Sequence, residues 1–325
     1  MNTFANYALG RGGIVYPLLI PAKHTDGLGI LNPSIYNDNG RLIVNLRQVN
    51  YTLYHSEKKI FKHAHGSLAY IHPENDLHLR TWNWYCELDD SFNIVKHNKI
   101  DTSKFDNYKT KGEFIGLEDA RVVRWNSKLY ISGVRRDTTR NGNGRMELSQ
   151  LCVNDNSVIE VSRIRIPNPG NTSSYCEKNW MPVLDLPYHY IKWSDPVELI
   201  YVDINCVSSK LLFKGSLSTI PITQRGGSQV LKTLNGWLAI THEVKLFTNK
   251  NNCKDAIYHH RFILWDENWK IKKYSKPFSI MGSSIEFVAG MCIYKDKLLI
   301  SYGFQDNAAY ILSTNLQTIM DFMDE

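Results

Sequence analysis

Apolar and polar residues alternate along this chain in short runs broken by turn residues, and the whole arrangement recurs. The recurring pattern is a short strand, a polar turn, then an apolar strand that ends on a polar or cationic residue. It occurs over residues 33–36, 37–40 and 41–47, and again over 120–125, 126–128 and 129–135. Further copies run over 180–184, 185–187 and 188–193, then 228–233, 234–236 and 237–242, and last 289–294, 295–297 and 298–302. Asn, Asp and Gly between alternating runs are the chemistry of hairpin turns. A further strand pair, marked in most copies by an apolar run into an Asp-bearing turn, follows each copy, at 85–90, 151–155, 199–203, 262–266 and 310–312. Two hairpins make a four-stranded unit. Five such units predict an all-β chain, a five-bladed β-propeller in a single domain over residues 1–325. A β-sandwich is the competing architecture, but recurrence of the complete unit favours blades. Only the tail, 316–325, has a helical pattern.

A propeller places its innermost strands around one channel. Here those strands begin near Asn32, Asp119, Asn179, Gln229 and Glu286. Their neighbours end near Arg47, Arg135, Lys192, His242 and Tyr302, so one mouth is predicted to collect carboxylates, amides, cations and a histidine. The densest stretch is 116–136, which opens on Glu118 and Asp119 and closes on Arg135 and Arg136. It reads either as one wall of an active site or as a surface hairpin with ion pairs at its rim.

Composition narrows the ligand. The 325 residues carry a net charge of +6, mild enough to suggest an anionic ligand such as phosphate or a nucleotide without requiring nucleic acid. Aromatic residues make up 12% of the chain, including 8 Trp, which suits sheet packing and also stacking on sugars. Trp82, Trp84, Trp180 and Trp237 are the candidates for stacking. The six cysteines, Cys86, Cys152, Cys176, Cys206, Cys253 and Cys292, form no CxxC pair, so zinc is not expected and free thiols in a reducing compartment are; no metal or other cofactor is assigned. There is no signal pattern at the N-terminus and no run of membrane-spanning length, which reads as a soluble, cytoplasmic protein.

In chain order, Asn32-Pro33, Arg47 and Gly116-Leu117-Glu118-Asp119-Ala120-Arg121 resemble the NP, R and GxEDPR elements of the β-mannoside phosphorylases, which are five-bladed propellers. Gly236-Trp237-Leu238 with His242, and Tyr302-Gly303 with Asp306, resemble that family's later segments. The likeness implies that Asp119, beside Glu118, is the catalytic acid or base. It implies phosphate or donor binding by Arg135, Arg136, Lys178, Arg225 and His242, and sugar binding that includes Asn32, Arg47 and Asp306. Asn179, Gln229 and Glu286 join the sugar-binding candidates by their predicted place on the inner strands. Ala120 stands where the family has Pro, leaving the backbone less restrained there. The segments 177–182, 225–229, 242–243 and 259–262 are more similar to a propeller domain of bacterial glycosyltransferases, and related propellers are mannosyltransferases.

The implied reaction is transfer of a sugar from a nucleotide sugar or sugar 1-phosphate to a hydroxyl of a glycan or another acceptor. Asp119 would serve once burial and Glu118 lift its pKa toward working pH. Hydrolysis would need a second carboxylate to activate water, for which Glu286 and Asp306 are candidates. Guanidinium forks suit phosphate oxygens. A glycoside phosphorylase, a hydrolase and a non-catalytic glycan-binding propeller are the alternatives; modified DNA as acceptor has only the mild basicity behind it.

Overall fold

The computed structural model describes residues 3–51, 76, 78–108, 113–170, 174–217, 224–248 and 254–325. Within them nearly all regular structure is antiparallel strand, grouped in fours. Ile30–Asp38, Arg41–Val49, Leu79–Leu88 and Ile94–Asp101 lie side by side in that order. Glu118–Trp125, Lys128–Arg135, Arg145–Val153 and Val158–Arg165 repeat the arrangement. The outermost strands of these two groups touch in a short parallel register, Val158 beside Ile100 and Ile159 beside Asp101, which fuses both groups into one larger sheet. A third group is Met181–Pro182, His189–Ser194, Val197–Asp203 and Ser208–Lys214. In the next, the short pieces Arg225–Gly226 and Leu231–Thr233 flank Gly236–Thr248, followed by Lys254–Trp265 and Ile271–Tyr274.

The last group closes the chain on itself. Glu286–Tyr294, Lys297–Phe304 and Ala308–Thr314 are completed by Ile14–Pro17 from the beginning of the chain, paired antiparallel from Ile14 beside Ser313 to Pro17 beside Tyr310. The sequence pattern assigned no role to 14–17, because four residues are too few to display a period. The predicted tail helix is present as Leu316–Asp324, with the Asn315 side chain accepting from the Thr318 amide at 2.8 Å. A second helix, Phe4–Leu9, was not foreseen. Phe4 packs against Phe262, Phe278 and Phe322, so tertiary contacts hold a helix too short to persist alone.

The apolar faces meet between neighbouring groups. Trp125, Tyr188 and Tyr190 pack edge to face between the second and third. Trp237 stacks on Trp269 in the fourth, and Trp84, Trp180 and Trp237 are all buried. Three of the four tryptophans proposed to stack on sugar are therefore core. Trp82 is half-buried beneath the Lys99 ammonium at 4.2 Å. Cys86 and Cys292 are buried, Cys152 and Cys206 exposed, Cys176 intermediate, and these five are free thiols; Cys253 lies outside the described residues.

The innermost strands converge at the centre. A Cβ on Gly290 would come within 2.3 Å of the Ile35 amide nitrogen, so only glycine permits these two strands to pass. Gln229 ties them together. Its amide nitrogen reaches Ser34 Oγ at 3.0 Å and the carbonyls of Ile35 at 3.0 Å and Val122 at 2.9 Å, while its oxygen accepts from the Met291 amide at 2.9 Å.

Candidate active site

Three polar residues reach the centre by one backbone device. Asn32, Asp119 and Asn179 have φ of 45°, 49° and 62°, at or beside the start of an inner strand, and Asp306 has φ of 48° in the turn before Ala308–Thr314. Among residues with a side chain, Asn and Asp tolerate this left-handed region best. At the first two positions the ladder slips, between Leu31 and Ser34 and between Glu118 and Arg121, so the strand bulges. A bulge re-aims a side chain, here toward the axis.

Asp119 is the most tightly held of the four. Its Oδ1 accepts from Arg47 Nη1 at 2.7 Å and from Asn32 Nδ2 at 2.8 Å. Arg47 is itself buried, donates to Thr81 Oγ1 at 3.2 and 3.3 Å and to the Tyr51 hydroxyl, and lies 3.6 Å from Glu118. Glu118 also faces Arg136 at 3.7 Å. Arg121 lies beneath. It is buried, donates to the Asp119 carbonyl at 2.6 Å and the Gly227 carbonyl at 2.9 Å, and rests 5.3 Å from the Phe287 ring centre. Arg121 therefore binds the backbone of Asp119, and its carboxylate is left to Arg47 and Asn32.

These contacts separate the carboxylates. Burial by itself would raise the pKa of Asp119, but Arg47, Arg121 and Lys178, together with the Asn32 hydrogen bond, bring it down to about 2. This corrects the expectation that Asp119 would be lifted toward neutrality. The lifted group is Asp306, which burial first, and then Asp119 and Glu118, push up to about 6 against Arg47 and Lys178. Burial likewise pushes Arg121 down to about 10.

The other predicted residues divide. Lys178 and Arg225 are exposed, and among the described residues neither makes an ion pair or a side-chain hydrogen bond. Both act electrostatically on His242, which is paired in register with Arg225. His242 is buried between Tyr258, stacked at 5.7 Å, and Phe287 at 5.0 Å. Burial first, then His260 and the nearby cations, hold its pKa well below the ordinary value, so it offers an anion a neutral N–H rather than a charge. Arg136 lies between the rings of Phe114 at 5.0 Å and Tyr175 at 5.1 Å, with Cys176 Sγ at 3.5 Å. Asn179 is buried, its Oδ1 3.5 Å from both Nη atoms of Arg121.

Three candidates have their polar groups engaged by the protein itself. Arg135 is buried among Asp106 at 3.2 Å, Glu147 at 3.3 Å and Asp137 at 3.6 Å, and its charge is fully answered there. Gln229 spends its amide on the strands it joins. Glu286 accepts the backbone amides of Ile280, Met281 and Ser283 at 2.5, 2.8 and 3.0 Å. Arg121, Tyr51 and Thr81 are the site residues the sequence reading passed over. A charged residue inside an otherwise apolar stretch of strand, as Arg121 is between Ala120 and Val122, was the available signal for the first.

The chain matches no protein-family profile and no curated protein by sequence. Its fold is nonetheless similar to solved structures along nearly its whole length. One is a β-1,2-mannobiose phosphorylase from Listeria innocua, with TM-score 0.56 and 14% identity over 91% of this chain and 92% of that one. Another is a mannose phosphorylase from Leishmania mexicana solved with a phosphate ion, with TM-score 0.55 and 12% identity over 96% and 92%. A third is a GDP-Man-dependent mannosyltransferase from Leishmania mexicana, with TM-score 0.51 and 12% identity over 93% and 90%. At such identities the likeness shows the fold, an all-β arrangement of the propeller type, shared by neighbours that are carbohydrate-active enzymes.

Proposed function

We propose that this chain is a single five-bladed propeller that transfers a glycosyl group from a phosphate-activated donor to an acceptor hydroxyl. The observation that carries the reading is the charge arrangement at the centre. Three carboxylates, Glu118, Asp119 and Asp306, surround the buried Arg47, and two exposed cations that have no carboxylate partner among the described residues, Lys178 and Arg225, stand beside them.

Two neighbouring carboxylates with widely separated pKa values divide the acid–base labour. Asp119, ionised at every working pH, faces the positive charge that develops at the anomeric carbon. Asp306, near its pKa, takes the proton of the acceptor hydroxyl. The acceptor oxygen bonds to the anomeric carbon as the bond from that carbon to the donor's phosphate oxygen breaks, and the phosphate leaves with the electron pair. Lys178 and Arg225, with the His242 N–H, receive the charge of the departing phosphate. Arg47 keeps Asp119 in place, and Arg121 holds the kinked backbone that presents it.

Run in reverse with inorganic phosphate, the same cations serve a phosphorylase, so direction is a matter of substrate supply. The similar enzymes act on mannosides, which makes mannosyl donors the first to try. The test is incubation with GDP-mannose or mannose 1-phosphate and a panel of sugar acceptors, with release of GDP or phosphate measured alongside the glycoside formed. Equal release without acceptor, as free mannose, would replace transfer by hydrolysis.

A further inference from the structure

Beside the central carboxylates, a cleft opens between the third and fourth strand groups. It is a cavity of ≈ 230 Å³ whose walls include Cys176, Lys178, Trp180, Lys192, Trp193 and Arg225. We infer that this cleft holds the nucleoside diphosphate part of the donor, with the pyrophosphate between Lys178 and Arg225 and the base on Trp193. The inference rests on the transfer reading above and narrows its donor.

Charge is the first argument. Several buried and half-buried cations of this molecule face carboxylates: Arg47 faces Asp119 and Glu118, Arg136 faces Glu118, and Arg163 faces Glu160 and Asp106, whereas the buried Arg121 is held by carbonyls. Inside the cleft Lys192 follows that rule. Its Nζ donates to Asn168 Oδ1 at 2.8 Å, lies 3.7 Å from Glu177 and sits 5.7 Å from the Trp180 ring centre. Lys192 and Glu177 cancel, and the excess that remains is the two positive charges of Lys178 and Arg225. That excess matches a pyrophosphate, which spans two cations better than one phosphate does.

The backbone supplies the second argument. The ladder of His189–Ser194 slips between Ile191 and Trp193, leaving Lys192 as the extra residue of a bulge. Consecutive strand residues normally point to opposite faces. Here Lys192 and Trp193 both line the cleft, and Trp193 is 38% exposed in a molecule whose other blade tryptophans are mostly buried. An exposed indole fixed on a strand bulge offers a flat face of the kind bases stack on. On the opposite wall a Cβ on Gly226 would lie 1.9 Å from the Asn179 carbonyl oxygen, so the fourth group passes directly against the third and aims Arg225 outward.

The arrangement also gives the right order. Lys178 acts on Asp119 and Asp306 at the inner end, and Trp193 stands at the rim. A donor would then run from sugar at the centre, through pyrophosphate, to base at the edge.

Calorimetric titration of the full chain with GDP, UDP, ADP, CDP, pyrophosphate and inorganic phosphate tests this. At least one nucleoside diphosphate is expected to bind more tightly than pyrophosphate, and pyrophosphate more tightly than phosphate. Trp193→Ala should weaken that nucleotide about fivefold or more and leave pyrophosphate unchanged, since a base stacked on an aromatic ring is worth about 1–3 kcal/mol. Trp193→Phe should restore most of the loss, while Lys178→Met and Arg225→Met should weaken both ligands. A nucleotide that binds no better than pyrophosphate, or a Trp193→Ala variant that weakens both ligands equally or neither, overturns the inference. Turnover of sugar 1-phosphates without nucleotide binding would sink the cleft and leave glycosyl transfer standing. Nucleotide binding that depends on Trp193, without transfer of any sugar, would do the reverse.

Discussion

Arg135 and Arg136 are adjacent in the chain and belong to two different electrostatic regions. Arg135 closes a cluster with Asp106, Asp137 and Glu147, and Arg163 joins it through Asp106 and Glu160. Every charge there has an opposite charge beside it, and the cluster stitches the outer strands of the first two groups. The central mouth, where Arg136 leans on Glu118, is built of the same residue types but left incomplete. Glu118, Asp119 and Asp306 crowd around Arg47, and among the described residues Lys178 and Arg225 have no carboxylate of their own. A completed cluster can only brace. An incomplete one leaves charge unanswered, and there burial first, then Asp119 and Glu118, raise the pKa of Asp306.

The sharpest way to break this comparison is Asp306→Asn. If Asp306 takes the acceptor proton, kcat is expected to fall about 10²–10⁴-fold. Activity of the unaltered protein should rise with pH through about 6, and the variant should lack that limb. The effect on stability has the opposite sign. A carboxyl whose folded pKa is raised contributes stability present below its unfolded pKa and lost as pH rises through about 6. At pH 8 the Asn variant should therefore melt no lower than the parent, and above it if the like charges dominate. A variant that melts lower and turns over normally would make Asp306 a brace.

In the completed cluster Arg135→Met should do the reverse. Removing the guanidinium leaves Asp137 buried without its cation, while Asp106 keeps Arg163 and Glu147 keeps Arg165, a loss of about 3–5 kcal/mol of unfolding free energy. Denaturant titration measures it, and kcat of the molecules still folded should be unchanged. A drop in kcat at intact stability would return Arg135 to the site.

Asp119→Asn lies between these. Loss of a positioned charge facing the reacting centre typically costs about 10²–10³-fold in rate. Its stability term is present above the ordinary carboxylate pKa and disappears as pH falls through about 2. The variant should thus also melt lower at neutral pH, with the difference shrinking in acid. Equal melting temperatures at pH 7 would mean that the Arg47 contact contributes nothing to the fold.

The smallest effect on the fold is expected at Lys178 and Arg225. Met at either exposed position should leave melting within error, because among the described residues neither makes an ion pair or side-chain hydrogen bond that would be lost. The KM for a phosphorylated donor should rise about tenfold, by analogy with one charge-assisted hydrogen bond, and the KM for the acceptor should not. Equal effects on both would separate these cations from the donor.

Much of this was legible in the residues. The four-strand recurrence, the turns and the tail helix follow from local pattern, because side-chain period and turn chemistry are local properties. Asn32, Arg47, Asp119, Asn179 and His242 were read as residues of one mouth, and Lys178, Arg225 and Asp306 as binding residues by resemblance; hydrogen bonds join Asp119 to Asn32 and Arg47, Lys178 acts on Asp119 and Asp306, and Arg225 on His242. Arg135, Gln229 and Glu286 were read the same way and serve other ends. Their position along the strand resembles that of the true mouth residues, and only their partners distinguish them. Ile14–Pro17 and Phe4–Leu9 carried too little pattern to be seen.

The sequence by itself therefore determined which residues could stand at the centre: polar ones at the ends of inner strands, with Asn and Asp where the backbone must turn left-handed. Tertiary structure alone decided the state of each. Whether a carboxylate is held ionised, as Asp119 is by Arg47 and Asn32, or driven toward protonation, as Asp306 is, depends on charges brought from other strand groups within a few ångströms. Those distances are made by strands far apart in the chain. Coulomb energy depends on separation in space and on the polarity of what lies between, and neither is written in the order of residues.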